Sequence, residues 1–160
     1  MAYHDDLLEQ AQHLATRERK RPRQASLRRA VSSAYCALFH LLIYEAVFKW
    51  KIGAQRSQLA RIFEHARINA ASDRVLNGKL FPFSGQNQAH VAHLQRIATT
   101  FIKLYERRQT ADYDTDTQWS RTQVLELIDL AGEAFRSMKE IRGEEIANDY
   151  LLSLFLKERK

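Results

Sequence analysis

The stretch AYCALFHLLIYEAVF, residues 34–48, decides the fold. It continues a stripe of Leu27, Val31, Ala34, Leu38 and Leu41 at spacings of three and four, with Phe48 beyond, so residues 23–51 read as one helix. From Ala34 onward this helix is apolar almost all round, which places it at the centre of a bundle or at an interface. The segment contains His40 and Glu45 and is too short to span a bilayer.

The same periodicity runs outward in both directions. Leu7, Leu8, Ala11, Leu14 and Ala15 predict a first helix over 4–20, with Pro22 near the first turn of the next. Leu59, Ile62, Phe63 and Ala66 predict a helix over 55–69, after Gly53 ends the apolar one. Residues 70–86, with NGK and FPFSG, read as a loop. Val91, Leu94, Ala98, Phe101 and Tyr105 predict a helix over 87–109, followed by a polar loop over 110–118. Ser120 and Gln123 match a capping box that opens a helix to residue 141. A last helix is expected over 144–158, after Gly143. The sum is five or six helices and no sheet in one domain over residues 1–160, its core at 4–140.

The chain has 160 residues, 45% of them apolar and 28% charged, which suits a folded globular domain. Cys36 is the one cysteine, so no intrachain disulfide forms. MAYHDDLLEQ lacks a basic start followed by an apolar run, so no signal peptide is expected, and a cytoplasmic location with no membrane contact is. There is no phosphate-cradling glycine loop, no Gly-x-Ser-x-Gly elbow and no cysteine pair for zinc. His90 and His93 lie three apart without a carboxylate or thiol at helical spacing, so they read as surface residues, as does His65. No metal and no cofactor is expected.

The net charge is +6 and unevenly placed. Residues 17–29 hold seven cations, Arg17, Arg19, Lys20, Arg21, Arg23, Arg28 and Arg29, against one acid, Glu18. Such density suits sequence-independent contact with phosphates. The structural alternative is a solvated helix end, where cations are favoured.

A second charged stretch is LYERRQTADYD, residues 104–114. Arg108 continues the apolar stripe and points toward packed structure, while Arg107 falls on a solvated face. Two readings of Arg108 stand side by side. It is a clip for Asp112 or Asp114, or a fixed cation for a phosphate with Tyr113 as a neighbouring donor. His40, inside the apolar helix, reads either as a hydrogen-bonded core residue or as a proton-transfer group.

Two stretches together resemble a known family. SLRRAVSSAYCALFHLL, residues 26–42, resembles the second-helix signature of HEPN-type domains, the higher eukaryote and prokaryote nucleotide-binding helical bundles. ERRQTADYD resembles the Arg-x-x-Ala-Asp-Tyr segment that ends a later helix in one branch of that group. The resemblance covers residues 4–140 and implies an antiparallel four-helix core with one or two additional helices, often dimeric. It further implies a metal-independent ribonuclease or nucleotide-binding module, RNA as ligand, and a toxin–antitoxin or defence pairing with a nucleotidyltransferase. In relatives the arginine is followed four to six residues later by a histidine. Arg108 matches the arginine, but Tyr113 stands where the histidine would be, and no histidine follows His93. A phenol with a reference pKa near ~10 is a poor base at neutral pH. The resemblance therefore casts Arg108, Asp112 and Tyr113 as site residues, with His40 as candidate base. The alternative is a non-catalytic adaptor that binds a partner protein through residues 151–156.

Overall fold

The computed structural model describes residues 2–48, 52–79, 83 and 85–156. Among them are seven helices and no strand: α1 Tyr3–Ala15, α2 Gln24–Val47, α3 Gly53–Ala60, α4 His65–Leu76, α5 Gln88–Tyr113, α6 Arg121–Ile141 and α7 Glu145–Ser153.

The core is a four-helix bundle of α1, α2, α5 and α6, and residue pairs fix its directions. His4 meets Tyr44 while Gln10 meets Ser33, so α1 and α2 run antiparallel. Arg28 reaches Ala111 while Tyr35 packs on Phe101, so α2 and α5 do too. Arg121 bonds to Ala15, and His4 touches Phe135, which sets α6 antiparallel to α1. α2 lies at the centre and packs against α1, α5 and α6. Its residues Leu27, Val31, Tyr35, Leu38 and Leu42 are fully buried. Each such side chain contributes about 1.5–3 kcal/mol of transfer free energy. At 24 residues α2 is long and apolar enough to cross a membrane, but 67% of that window is buried inside the bundle, as befits a core helix.

Near its far end α2 carries Glu45, whose side chain is 1% exposed. Arg142, just past α6, closes on it with its Nε 3.0 and 3.1 Å from the two carboxylate oxygens and a further bond from Nη2. A buried carboxylate persists because this charge-assisted pair compensates its lost hydration.

Several boundaries differ from the sequence reading. α1 stops at Ala15, and residues 16–23 form an irregular connection. The helix expected at 55–69 is two helices, with a turn at 61–64 that lets Phe63 turn inward against Phe155 of the α7 end, 4.8 Å between rings. Gly53 opens α3. The expected extension of α2 to residue 51, and of the last helix to 158, lies partly outside the described residues, as does part of FPFSG. Residues 70–76, read as loop, are helical, with Ile68, Ala71, Ser72 and Val75 buried at helical spacing. The NGK segment ends α4 instead: Gly78 adopts φ +71° and Lys79 N–H donates to Arg74 O, a left-handed C-terminal cap. The capping box at α6 forms as expected, Gln123 N–H donating to Ser120 Oγ at 3.2 Å and Ser120 N–H to Gln123 Oε1 at 3.0 Å.

The most consequential difference is at α5. It does not end at the double arginine but continues one turn, through Tyr113. That turn has a tertiary cause. The Arg28 guanidinium, from α2, donates to the carbonyls of Ala111 (2.9 Å), Asp114 (2.6 Å) and Thr117 (2.6 Å). The Ala111 carbonyl is one of the acceptors that a helix end leaves without an intrahelical partner, and those of Asp114 and Thr117 belong to the cap and the connection beyond it.

Candidate nucleic-acid interface and the Arg108 cluster

The extra turn of α5 places Arg108 and Asp112 four residues apart on one helix face, where side chains meet. Arg108 Nε lies 2.9 Å from Asp112 Oδ2, and Ser32 Oγ of α2 donates to the other carboxylate oxygen. The guanidinium carbon sits 5.5 Å from the ring centroid of Tyr35, within cation–π reach. Tyr35 is fully buried, and its hydroxyl bonds with His65 Nδ1 at 2.6 Å. His65 in turn stacks on Phe39, 4.0 Å between centroids.

Burial sets the protonation of this cluster. It pushes the Tyr35 phenol above its ordinary range, with Arg108 opposing. It raises the Cys36 thiol, again against Arg108. It lowers His65, and the Arg108 charge lowers it further. His40 is lowered by burial first and then by His65 and His4. Both imidazoles are therefore biased toward the neutral form.

The site residues expected from the sequence are brought together only in part. Arg108 and Asp112 are joined. Asp114 is not the partner of Arg108; its carboxylate accepts from Thr117 Oγ1 and Asp116 N–H, which hold it below the usual carboxylate range. Tyr113 is 71% exposed and forms no hydrogen bond with Arg108 among the described residues. Among the described residues the ring contacts of His40 are Tyr3 of α1 and Phe39, the residue that also stacks on His65. His65, read as a surface residue, is half-buried in the cluster instead. No local pattern announces this, because its partner Tyr35 is 30 residues away and on another helix.

The basic segment lies at the same end of the bundle. Arg17, Arg19, Lys20, Arg21, Arg23 and Arg29 are exposed and form no ion pair within 4 Å among the described residues. Arg28 differs, since three backbone carbonyls occupy it. The connection itself is fixed. Glu18 accepts from Arg23 N–H (2.7 Å) and Ser26 Oγ (3.2 Å), and the first of these holds its carboxyl below its ordinary value. Arg121 of α6 donates to the carbonyls of Ala15 (2.9 Å), Glu18 and Arg19 (3.4 Å). Gln24 exchanges a pair of 2.8 Å bonds with the Trp119 backbone, tying the α5–α6 connection to the start of α2. Between these elements is a depression of 440 Å³, lined by Ala25, Arg28, Arg29, Ala111, Asp112 and Tyr113.

The described residues hold no group of three or more His, Cys, Asp or Glu placed to bind a metal. His93 pairs with Ser137 at 3.0 Å, and His90 lies 3.7 Å from Glu144. No protein-family model matches the chain, and no curated protein or solved structure matches it.

Proposed function

We propose that this chain is an RNA-directed module of HEPN type, weakly ribonucleolytic without a metal, whose binding face is the end of the bundle where α2 begins and α5 ends. One observation carries the reading. Five exposed cations on a fixed connection, joined by Arg29 in the second turn of α2, are without ion-pair partners among the described residues and stand at the end of the bundle where α5 carries Arg108. Cations left unpaired on a braced surface suit a polyanion better than they suit fold stability.

Arg108 supplies a positioned charge. Its Nε faces Asp112 and its guanidinium carbon lies over the Tyr35 ring, while neither Nη donates a hydrogen bond among the described residues. Those nitrogens are suited to phosphate oxygens. RNA cleavage would need an acceptor for the ribose 2′-proton and a donor for the leaving 5′-oxygen. His65, which shares Tyr35 with Arg108, is one acceptor candidate, through Nε2 in the tautomer whose Nδ1–H donates to the Tyr35 oxygen, and His40 is the other. Homodimerisation and a nucleotidyltransferase partner belong to the same proposal through the family resemblance.

The test is a titration with RNA at two salt concentrations, with cleavage followed in EDTA, for wild type and Arg108→Gln. The expected result is salt-sensitive binding, EDTA-resistant weak cleavage, and loss of cleavage in the variant. Absence of salt-sensitive RNA binding would refute the reading. It would favour the adaptor alternative, which draws on a 350 Å³ apolar cavity near Leu151 and on the exposed Leu152 and Leu156.

A further inference from the structure

We infer that Tyr113 is a stacking platform for an unpaired base, so that the RNA taken at this face is single-stranded. The inference rests on the RNA-directed reading above and adds to it a substrate class and a specificity-determining residue.

Tyr113 is the last residue of α5 and 71% exposed. Among the described residues its ring has no aromatic partner and its hydroxyl no hydrogen bond. A lone exposed tyrosine is ordinary. This one differs in its setting. Its backbone is bracketed by Arg28, which holds the carbonyls of Ala111 and Asp114 on either side, and Asp114 N–H donates to Thr110 O at 3.0 Å. The ring therefore projects from a fixed point and does not ride on a loose helix end. It borders the 440 Å³ depression together with Arg29, an exposed cation without an ion-pair partner.

An aromatic face beside cations that follow a backbone is the combination that holds single strands. A base stacked on Tyr113 would leave its phosphate near Arg29, with the cations of residues 17–23 beyond. In a duplex both faces of each base are already covered, so only phosphate contacts would remain. The acidic side chain in the depression, Asp112, is occupied by Arg108 and Ser32, so base edges find little there to read. The contact should tolerate any sequence.

The experiment compares a single-stranded RNA oligonucleotide, its blunt duplex and an oligonucleotide with one abasic position, by fluorescence anisotropy at low salt. Wild type, Tyr113→Ala and Tyr113→Phe are used, with thermal melts as fold control. The expected result is tighter binding of the single strand than of the duplex. Tyr113→Ala should lose about tenfold on the single strand and nothing on the duplex. Tyr113→Phe, which keeps the ring, should bind as wild type. Equal single-strand affinity for Tyr113→Ala and wild type would overturn the inference and leave RNA binding standing. Equal losses for Phe and Ala would overturn it in favour of the hydroxyl. A wild type that binds none of the RNAs would remove the RNA-directed reading and this inference together.

Discussion

Arg28 and Arg29 are adjacent in sequence and opposite in role, and exchanging each for alanine separates scaffold from surface. Arg28→Ala strips hydrogen bonds from three carbonyls. Ala111 is 2% exposed, so its carbonyl is the one water refills least. A buried acceptor left without a partner costs about 1–3 kcal/mol. Asp114 is exposed and Thr117 half-buried, so their carbonyls regain water and lose about 0.5 kcal/mol each. The sum is about 2–4 kcal/mol. For a chain of 160 residues this lowers the melting temperature by about 4–16 °C. Arg29→Ala removes an exposed side chain without an ion-pair partner and should move the melt by less than about 2 °C. RNA affinity should respond in the other order when both variants are assayed well below their melts. Arg29→Ala should weaken binding and flatten its salt dependence by about one unit of slope. The pair is read by circular dichroism melts and RNA titration at several salt concentrations. An Arg28→Ala variant that melts with wild type would refute the view that this guanidinium holds the end of α5.

Two further outcomes follow from buried titratable groups. Arg142→Ala leaves the Glu45 carboxylate buried without its cation and should cost about 3 kcal/mol in denaturant unfolding, whereas the double variant Glu45→Leu with Arg142→Ala should recover most of it; equal stability of the single variant and wild type would contradict the pairing. His4, His40 and His65 all have pKa values lowered from 6.5, in each case chiefly by burial. Because the folded state binds those protons less readily than the unfolded chain, their contribution is complete above about pH 6.5 and is lost as pH falls below it. Melting temperature should thus drop between pH 7.5 and pH 5, and the drop should shrink in His4→Gln; a melt independent of pH over that range would count against buried neutral imidazoles.

The parts of this architecture legible in the sequence are those with local causes. The stripe through Leu27, Val31, Leu38 and Leu41 buries as its spacing implies, and the Ser120–Gln123 box caps α6 through atoms three residues apart. Arg108 faces inward and Arg107 outward, as their helical phases require. What was illegible is what distant chain supplies. The polar run after Arg108 looks like loop because the ligand for its carbonyls, Arg28, comes from 83 residues earlier. Residues 70–76 look like loop because Asn77 and Gly78 advertise a turn, and that turn belongs to the end of a helix whose apolar side is short. His65 shows no signature, since a histidine without periodic or spacing context acquires its role only when α4 docks over Tyr35.

The bracing of the connection between α1 and α2 bears on the entropy of association. Arg121 and Glu18 fix the main chain that carries Arg17, Arg19, Lys20 and Arg21. A flexible basic tail would have to order its backbone on meeting a polyanion, at about 1–2 kcal/mol per residue. Here that ordering has already occurred during folding, and only side-chain rotamers remain to be immobilised, at about 0.5–1.5 kcal/mol each. If the proposed RNA-directed reading holds, Arg121, whose guanidinium is occupied by the carbonyls of Ala15, Glu18 and Arg19, would set affinity by fixing that main chain.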